Sequence, residues 1–243
     1  MSRKKVLALA FECNPEWPSL PVVAYKYALA LGEDVDLTVV TQKQNRENIT
    51  KAGTGAARFD YVNIDPVLVP LEALAKKIRG GTDLGWTTAV AFTYPSYLLF
   101  ELVTWLRYRK RLKRGEFDVV HRLTPMTPTL PSPLATFERK VPFVLGPLNG
   151  GLAWPKAFTQ VEKQEKEWLR PLRNIYKRLP FSRSTFRDAD VVLASFEHTI
   201  ADLPPGCAEK TIDFPEVGID PSLFSARGDR SPSTAGSPGG GPA

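Results

Sequence analysis

Lys5-Val-Leu-Ala-Leu-Ala-Phe11 is a short apolar run without alternation, and a polar loop rich in Pro and Asn, Glu12 to Pro21, follows it. A strand covered on both faces reads this way, as the inner strands of a parallel sheet do. The competing reading of Met1 to Cys13 is a signal peptide. Its apolar run stops early, at Phe11, and Glu12 stands before the cysteine where a small residue is needed. Working outward, Val22 to Leu31 reads as a helix closed by Gly32 as its C-terminal cap. Val35 to Val40 reads as a second strand and Phe59 to Ile64 as a third. Strand, loop, helix, strand is the signature of a right-handed parallel unit.

The rest of the chain repeats the pattern. Leu71 to Arg79 reads as a short helix ended by Gly80-Gly81. Phe117 to His121 and Val141 to Gly146 read as strands, Thr159 to Leu179 as a long charged helix, and Arg183 to Asp188 as a helical turn. Val191 to Ala194 is a further strand, Phe196 to Leu203 a helix stopped by Pro204-Pro205-Gly206, and Thr211 to Val217 a last short strand. The expected fold is α/β: a Rossmann-like, mostly parallel sheet with helices on both faces. Ligands of such sheets bind beyond the carboxyl ends of the strands. From Ser225 to Ala243 the residues are almost all Ser, Pro, Gly, Ala, Thr or Arg, a composition that buries nothing, so this tail is expected to be disordered.

Ala89 to Arg114 is the most unusual stretch. It begins apolar and aromatic and ends Arg107-Tyr-Arg-Lys-Arg-Leu-Lys-Arg114, with Leu98, Leu102, Trp105 and Leu106 at helical spacing. One reading is a packed helix with cations favourably placed at its C-terminal end. The other is a helix lying on an anionic membrane surface. A transmembrane span fits less well, because Pro95 and Glu101 interrupt it.

Bulk composition narrows the classes. The 243 residues, 43% hydrophobic and 24% charged, suit a globular domain that can bury a core without staples. Two distant cysteines, Cys13 and Cys207, give no disulfide framework and point to a reducing, cytoplasmic setting. With two histidines there is no metal-ligand cluster, so no metal is expected. The net charge of +6 suits polyanions in general, but no aromatic-and-basic nucleic-acid motif accompanies it. A dehydrogenase-type nucleotide domain would need Gly-x-Gly-x-x-Gly after the first strand, and that motif is absent.

Three loops that follow strands draw the eye: Glu12 to Tyr25, His121 to Leu134, and Gly146-Pro-Leu-Asn-Gly-Gly-Leu-Ala-Trp-Pro-Lys156. Gly146, Gly150 and Gly151 would let a backbone approach a ligand closely and turn free N–H groups toward an anion. The bland alternatives are a plain turn at Gly150-Gly151, a satisfied core residue at His121 and a solvated cation at Lys156.

Taken in order, these segments resemble the N-terminal, acceptor-side domain of family 4 retaining glycosyltransferases, which have the two-domain GT-B architecture. Asp118-Val-Val-His121, a Thr/Pro-rich loop ending Pro131-Ser132-Pro133, Val141-Pro-Phe-Val-Leu-Gly-Pro147 with Asn149-Gly-Gly151, and Gly218-Ile-Asp-Pro-Ser-Leu-Phe224 carry the resemblance over roughly residues 4 to 224. It implies one half of a GT-B fold, residues 1–224, that helps transfer a sugar from a nucleotide-sugar to a glycan or lipid-linked acceptor. His121 becomes the catalytic candidate. Ser19, Thr124, Gly146, Asn149, Gly150, Gly151 and Lys156 become candidates for holding acceptor or phosphate.

The sequence also departs from the family's pattern. Where relatives carry Gly-Ser-Glu and spaced glycines in the first loop, this chain has Pro18, Ser19, Leu20, Val22 and Ala24, then Tyr25, and keeps only the serine. Leu123 stands where many members have a second histidine, and Val217 replaces an asparagine before Gly218. The donor domain would begin after Phe224 with a pair of glutamates seven residues apart, and no such pair occurs. The expectation is therefore a truncated product, a frameshifted end or an incompletely assigned gene, with the chain inactive alone unless a separate donor-domain chain completes it. The alternative is a non-catalytic domain that binds an acceptor or an anionic lipid, with peripheral contact at the inner membrane face through Arg107–Arg114.

Overall fold

The computed structural model of the chain describes residues 2–67, 69–70, 86–150 and 179–215, with the side chains of 86–93 left aside. The helix expected over Leu71 to Arg79, most of the one over Thr159 to Leu179, the tail from Ser225, and Gly151 and Lys156 lie outside the described residues. Among the described residues the chain forms β1 Lys5–Ala10, α1 Leu20–Asp34, β2 Asp36–Gln42, α2 Arg46–Ala52, β3 Arg58–Val62, α3 Trp86–Lys113 and β4 Val119–Thr124. Then come α4 Pro133–Phe137, β5 Phe143–Leu148, α5 Ser182–Asp188, β6 Val191–Ala194, α6 Glu197–Asp202 and β7 Thr211–Asp213.

The seven strands make one sheet in the order β3-β2-β1-β4-β5-β6-β7, and every adjacent pair is parallel. This is a Rossmann-like α/β sheet. Alternation along β1 explains its two faces. Leu7, Leu9 and Phe11 pack with Tyr97, Phe100, Tyr108 and Leu112 of α3 and with Leu134 and Phe186 of α4 and α5. Val6, Ala8 and Ala10 pack with Ala24, Tyr25 and Ala28 of α1 and with Ile49 of α2. Leu7 and Leu9 are fully buried, and each such side chain contributes about 1.5–3 kcal/mol. β1 is thus a core strand, as its continuous apolar run indicates.

Several boundaries move for physical reasons. The first helix runs from Leu20 to Asp34, so Gly32 lies inside it and is not its cap. A Cβ on Gly32 would stand 3.2 Å from the Ala57 side chain and backbone, so the glycine serves close packing instead. The fourth strand starts and ends later than expected, so His121 is mid-strand; the strand stops at Thr124, before Pro125, which has no N–H to continue the ladder. The fifth strand likewise runs through Gly146-Pro147 to Leu148. In α3 the buried stripe is Tyr97, Phe100, Glu101, Thr104, Tyr108 and Leu112, while Leu102 and Leu106 face outward at 41% and 47% exposure.

Glu101 can sit inside because its carboxylate is saturated. It accepts hydrogen bonds from the Tyr97 and Ser132 hydroxyls and from the Leu134 N–H at 3.0 Å. On the same side of the sheet the wholly buried Arg122 donates to the carbonyls of Leu130 and Thr127. These two charged groups hold the Thr/Pro-rich loop and the start of α4 from beneath.

Candidate functional site at the sheet switch point

β1 is the point at which the strand order reverses: the chain builds outward to β2 and β3 on one side, then returns to add β4 to β7 on the other. At such a point the two neighbouring loops diverge and leave a crevice at the carboxyl edge of the sheet. By that rule a crevice is expected here between the loops that follow β1 and β4.

Thr124 joins those loops. Its hydroxyl donates to the Glu12 carbonyl at 3.0 Å and accepts from the Glu12 N–H at 3.2 Å. The hydroxyl is thereby engaged with the backbone, and Thr124 positions the loop. The β1 loop is anchored on its other side by amides. Asn14, fully buried, donates to Asn45 Oδ1 at 3.1 Å and accepts from the Glu16 N–H and from Asn48 Nδ2, both at 3.0 Å. Asn45 in turn donates to Thr41 at 2.9 Å, and Gln42 donates to the Phe11 carbonyl at 3.0 Å. Glu12 therefore leaves a rigid platform. Its carboxyl is half-buried and burial raises its pKa. Ser19, exposed at the start of α1, has φ 69 and makes no capping bond with its side chain.

His121 forms the floor on the α1 side. Its Nε2–H donates to the Gly146 carbonyl at 2.7 Å, which assigns the proton to Nε2 and leaves Nδ1 as an acceptor. The Tyr27 ring meets the imidazole edge-on at 5.8 Å and Phe214 packs on Tyr27 at 5.9 Å. Burial pushes the His121 pKa down to about 4, outweighing the hydrogen bond to Gly146, with Arg122 adding in the same direction. The ring is neutral across physiological pH, so it acts as a hydrogen-bonding group and is a poor general base.

This has a measurable consequence. An unfolded histidine titrates near 6.5 and the folded one near 4. Between these values the unfolded chain binds more protons, so stability falls as pH drops. From pH 7 to pH 5 His121 should account for a loss of about 2 kcal/mol. Glu12 and Glu101, whose pKa values are raised, work in the opposite direction and cancel when wild type is compared with His121→Gln. Urea unfolding should show the pH 5 deficit shrinking in that variant; equal pH slopes would refute the buried neutral imidazole.

Gly146 has φ 119, and a Cβ there would fall 2.3 Å from the Leu193 carbonyl oxygen on β6. The close approach it makes is between strands, at the break in β5–β6 register. Beyond β5 the Asn149 N–H donates to the Met126 carbonyl at 2.7 Å. Gly150, at φ 146, lies beside Pro128 and accepts the Thr199 hydroxyl at 2.7 Å. The β4, β5 and β6 loops are thus tied into one rim. Trp17 and Phe196 stand exposed at 39% and 44% on the β1 and β6 loops, and Phe196 stacks on His198 at 5.2 Å.

The structure brings His121, Thr124, Gly146, Asn149 and Gly150 to this edge. Glu12, Tyr27 and the Asn14–Asn45–Asn48 set also belong to it, and sequence reasoning passes over them as site residues. The available signal was a carboxylate directly after a buried strand. Chemically the edge carries a half-buried carboxyl and two exposed aromatic faces, with a neutral imidazole and the bonded amides buried beneath. Arg122, the cation nearest in sequence, turns to the opposite face. No known protein-family model matches the chain, and no curated protein matches it at a significant level.

Proposed function

We propose that the chain is the acceptor-side domain of a retaining glycosyltransferase of the two-domain kind, and that the crevice between the β1 and β4 loops orients a glycan or lipid-linked acceptor. One observation carries the reading. The loops that resemble the family 4 segments converge at the switch point of an all-parallel sheet and present neutral or carboxyl hydrogen-bonding groups. Such a surface suits sugar hydroxyls better than a diphosphate. The nucleotide-sugar is assigned to a second domain, on a longer polypeptide or a partner chain.

In this reading Thr124 fixes the backbone of Glu12, and the Glu12 carboxyl accepts a hydrogen bond from an acceptor hydroxyl. His121, pinned through Nε2 to Gly146, offers Nδ1 to a second hydroxyl. Trp17 and Phe196 supply flat apolar faces for the C–H side of a sugar ring. Catalysis by this half is positional: the acceptor oxygen is held in line while the donor charge is managed elsewhere.

Calorimetric titration with glycan acceptors tests this. Glu12→Gln and Trp17→Ala should each weaken binding about tenfold, the usual cost of one good hydrogen bond or stacking contact. Unchanged affinity in both variants would remove the crevice from acceptor binding. Sugar transfer by the purified chain alone, with nucleotide-sugar supplied, would overturn the assignment of the donor to a second domain.

A further inference from the structure

The basic end of α3 divides into two faces with different duties. Arg107 bonds Asp60 at 2.8 Å. Arg111 and Arg114 bond Glu116 at 2.7 and 3.3 Å. Arg111 also covers the Tyr108 and Phe117 rings at 5.2 and 5.0 Å. These arginines clamp the helix to β3 and to the turn before β4.

Leu98, Leu102, Leu106, Arg109, Lys110 and Lys113 lie on another face, within roughly a third of the helix circumference. Leu102 and Leu106 are exposed, as are Arg109, Lys110 and Lys113, while Leu98 is half-buried. Trp105 and Phe137 extend the apolar surface sideways, with ring centres 5.2 Å apart, and the Arg109 guanidinium lies 5.5 Å from the Trp105 ring centre. Between Tyr94 and Lys113 the only acid is Glu101, and it points into the core.

We infer that this outward stripe docks on an anionic lipid surface. Leucines turned to solvent gain apolar burial only when something covers them, and the cations that continue the stripe specify a negative cover. A bilayer interface answers both: apolar side chains enter the acyl boundary while long basic side chains reach up to headgroup phosphates. No described helix is long and apolar enough to cross a membrane, so α3 lies along the surface. This inference does not depend on the transferase reading.

Sedimentation of the full chain with vesicles tests it. The chain should pellet with phosphatidylcholine–phosphatidylglycerol vesicles, stay in solution with phosphatidylcholine alone, and be released by salt. Reversing Arg109, Lys110 and Lys113 to Glu should lower partitioning by about a hundredfold or more, at about fivefold per cation lost near an anionic surface. Leu102→Ser with Leu106→Ser should also weaken it. Reversing Lys26, Lys43 and Lys51, which lie on α1, after β2 and on α2, changes net charge equally and should have much less effect. Equal binding to both vesicle types overturns the inference, and so does an equal loss in the Lys26/Lys43/Lys51 control. Binding that needs the cations but ignores the leucines would mark a merely polyanionic partner and overturn it as well.

Discussion

Gly146→Ala is expected to cost roughly 2–6 kcal/mol, enough to leave much of the chain unfolded. Two effects add. The position has φ 119, where L side chains are strained, and the new Cβ would meet the Leu193 carbonyl oxygen at 2.3 Å and the Leu148 nitrogen at 2.9 Å. Both obstacles are backbone, so no rotamer change relieves them; β5 and β6 would have to part. The same shift would move the carbonyl that holds His121, so fold and crevice would fail together. Gly150→Ala is the control: its φ is 146, but the nearest obstacle is the Pro128 ring at 3.3 Å. Urea unfolding should rank Gly146→Ala far below Gly150→Ala, and similar midpoints would show that β5 and β6 are not packed as described.

Glu101→Ala should cost about 3–5 kcal/mol, the range for removing one member of a buried charged network. It leaves the Tyr97 and Ser132 hydroxyls and the Leu134 N–H without their acceptor and removes a counter-charge that acts on Arg122. Glu101→Gln separates shape from charge. Its amide oxygen can take the Leu134 N–H while its NH2 donates to the two hydroxyl oxygens, which accept as readily as they donate. A loss of about 1 kcal/mol is expected there. Hydrogen exchange at Leu134 should accelerate in the alanine variant and barely change in the glutamine one. Equal behaviour of the two would mean that the network does not hold the β4 loop and α4.

How far these features were legible in the sequence depends on what each residue answers to. β1 and β6 were plain, because an inner strand needs only a continuous apolar run, and Val191–Ala194 comes out with the expected bounds. β4 was displaced because His121, Arg122 and Thr124 look polar; each is buried by a tertiary partner that no local pattern shows. Of the two readings of the α3 stripe, the packed one fails for Leu102 and Leu106 for the same reason: Glu101 and Thr104 went inside and these leucines out. α2 and α4 were missed, being single short helices without strong periodicity. At this edge Thr124 and Gly146 were singled out for holding acceptor or phosphate, and in the structure the first engages backbone and the second accommodates β6. Tyr27 carried no signal, since an aromatic residue in a helix reads as ordinary core.

The central claim is that the crevice at the β1–β4 switch point receives an acceptor, with the donor held elsewhere. The most direct measurement is an amide NMR titration of the whole chain, run once with glycan acceptors and once with nucleotide-sugars. The acceptor should shift resonances at Glu12, Trp17, Tyr27, His121 and Asn149, and the nucleotide-sugar should leave them unmoved. Nucleotide-sugar binding in that crevice, or glycan shifts confined to other surfaces, would contradict it.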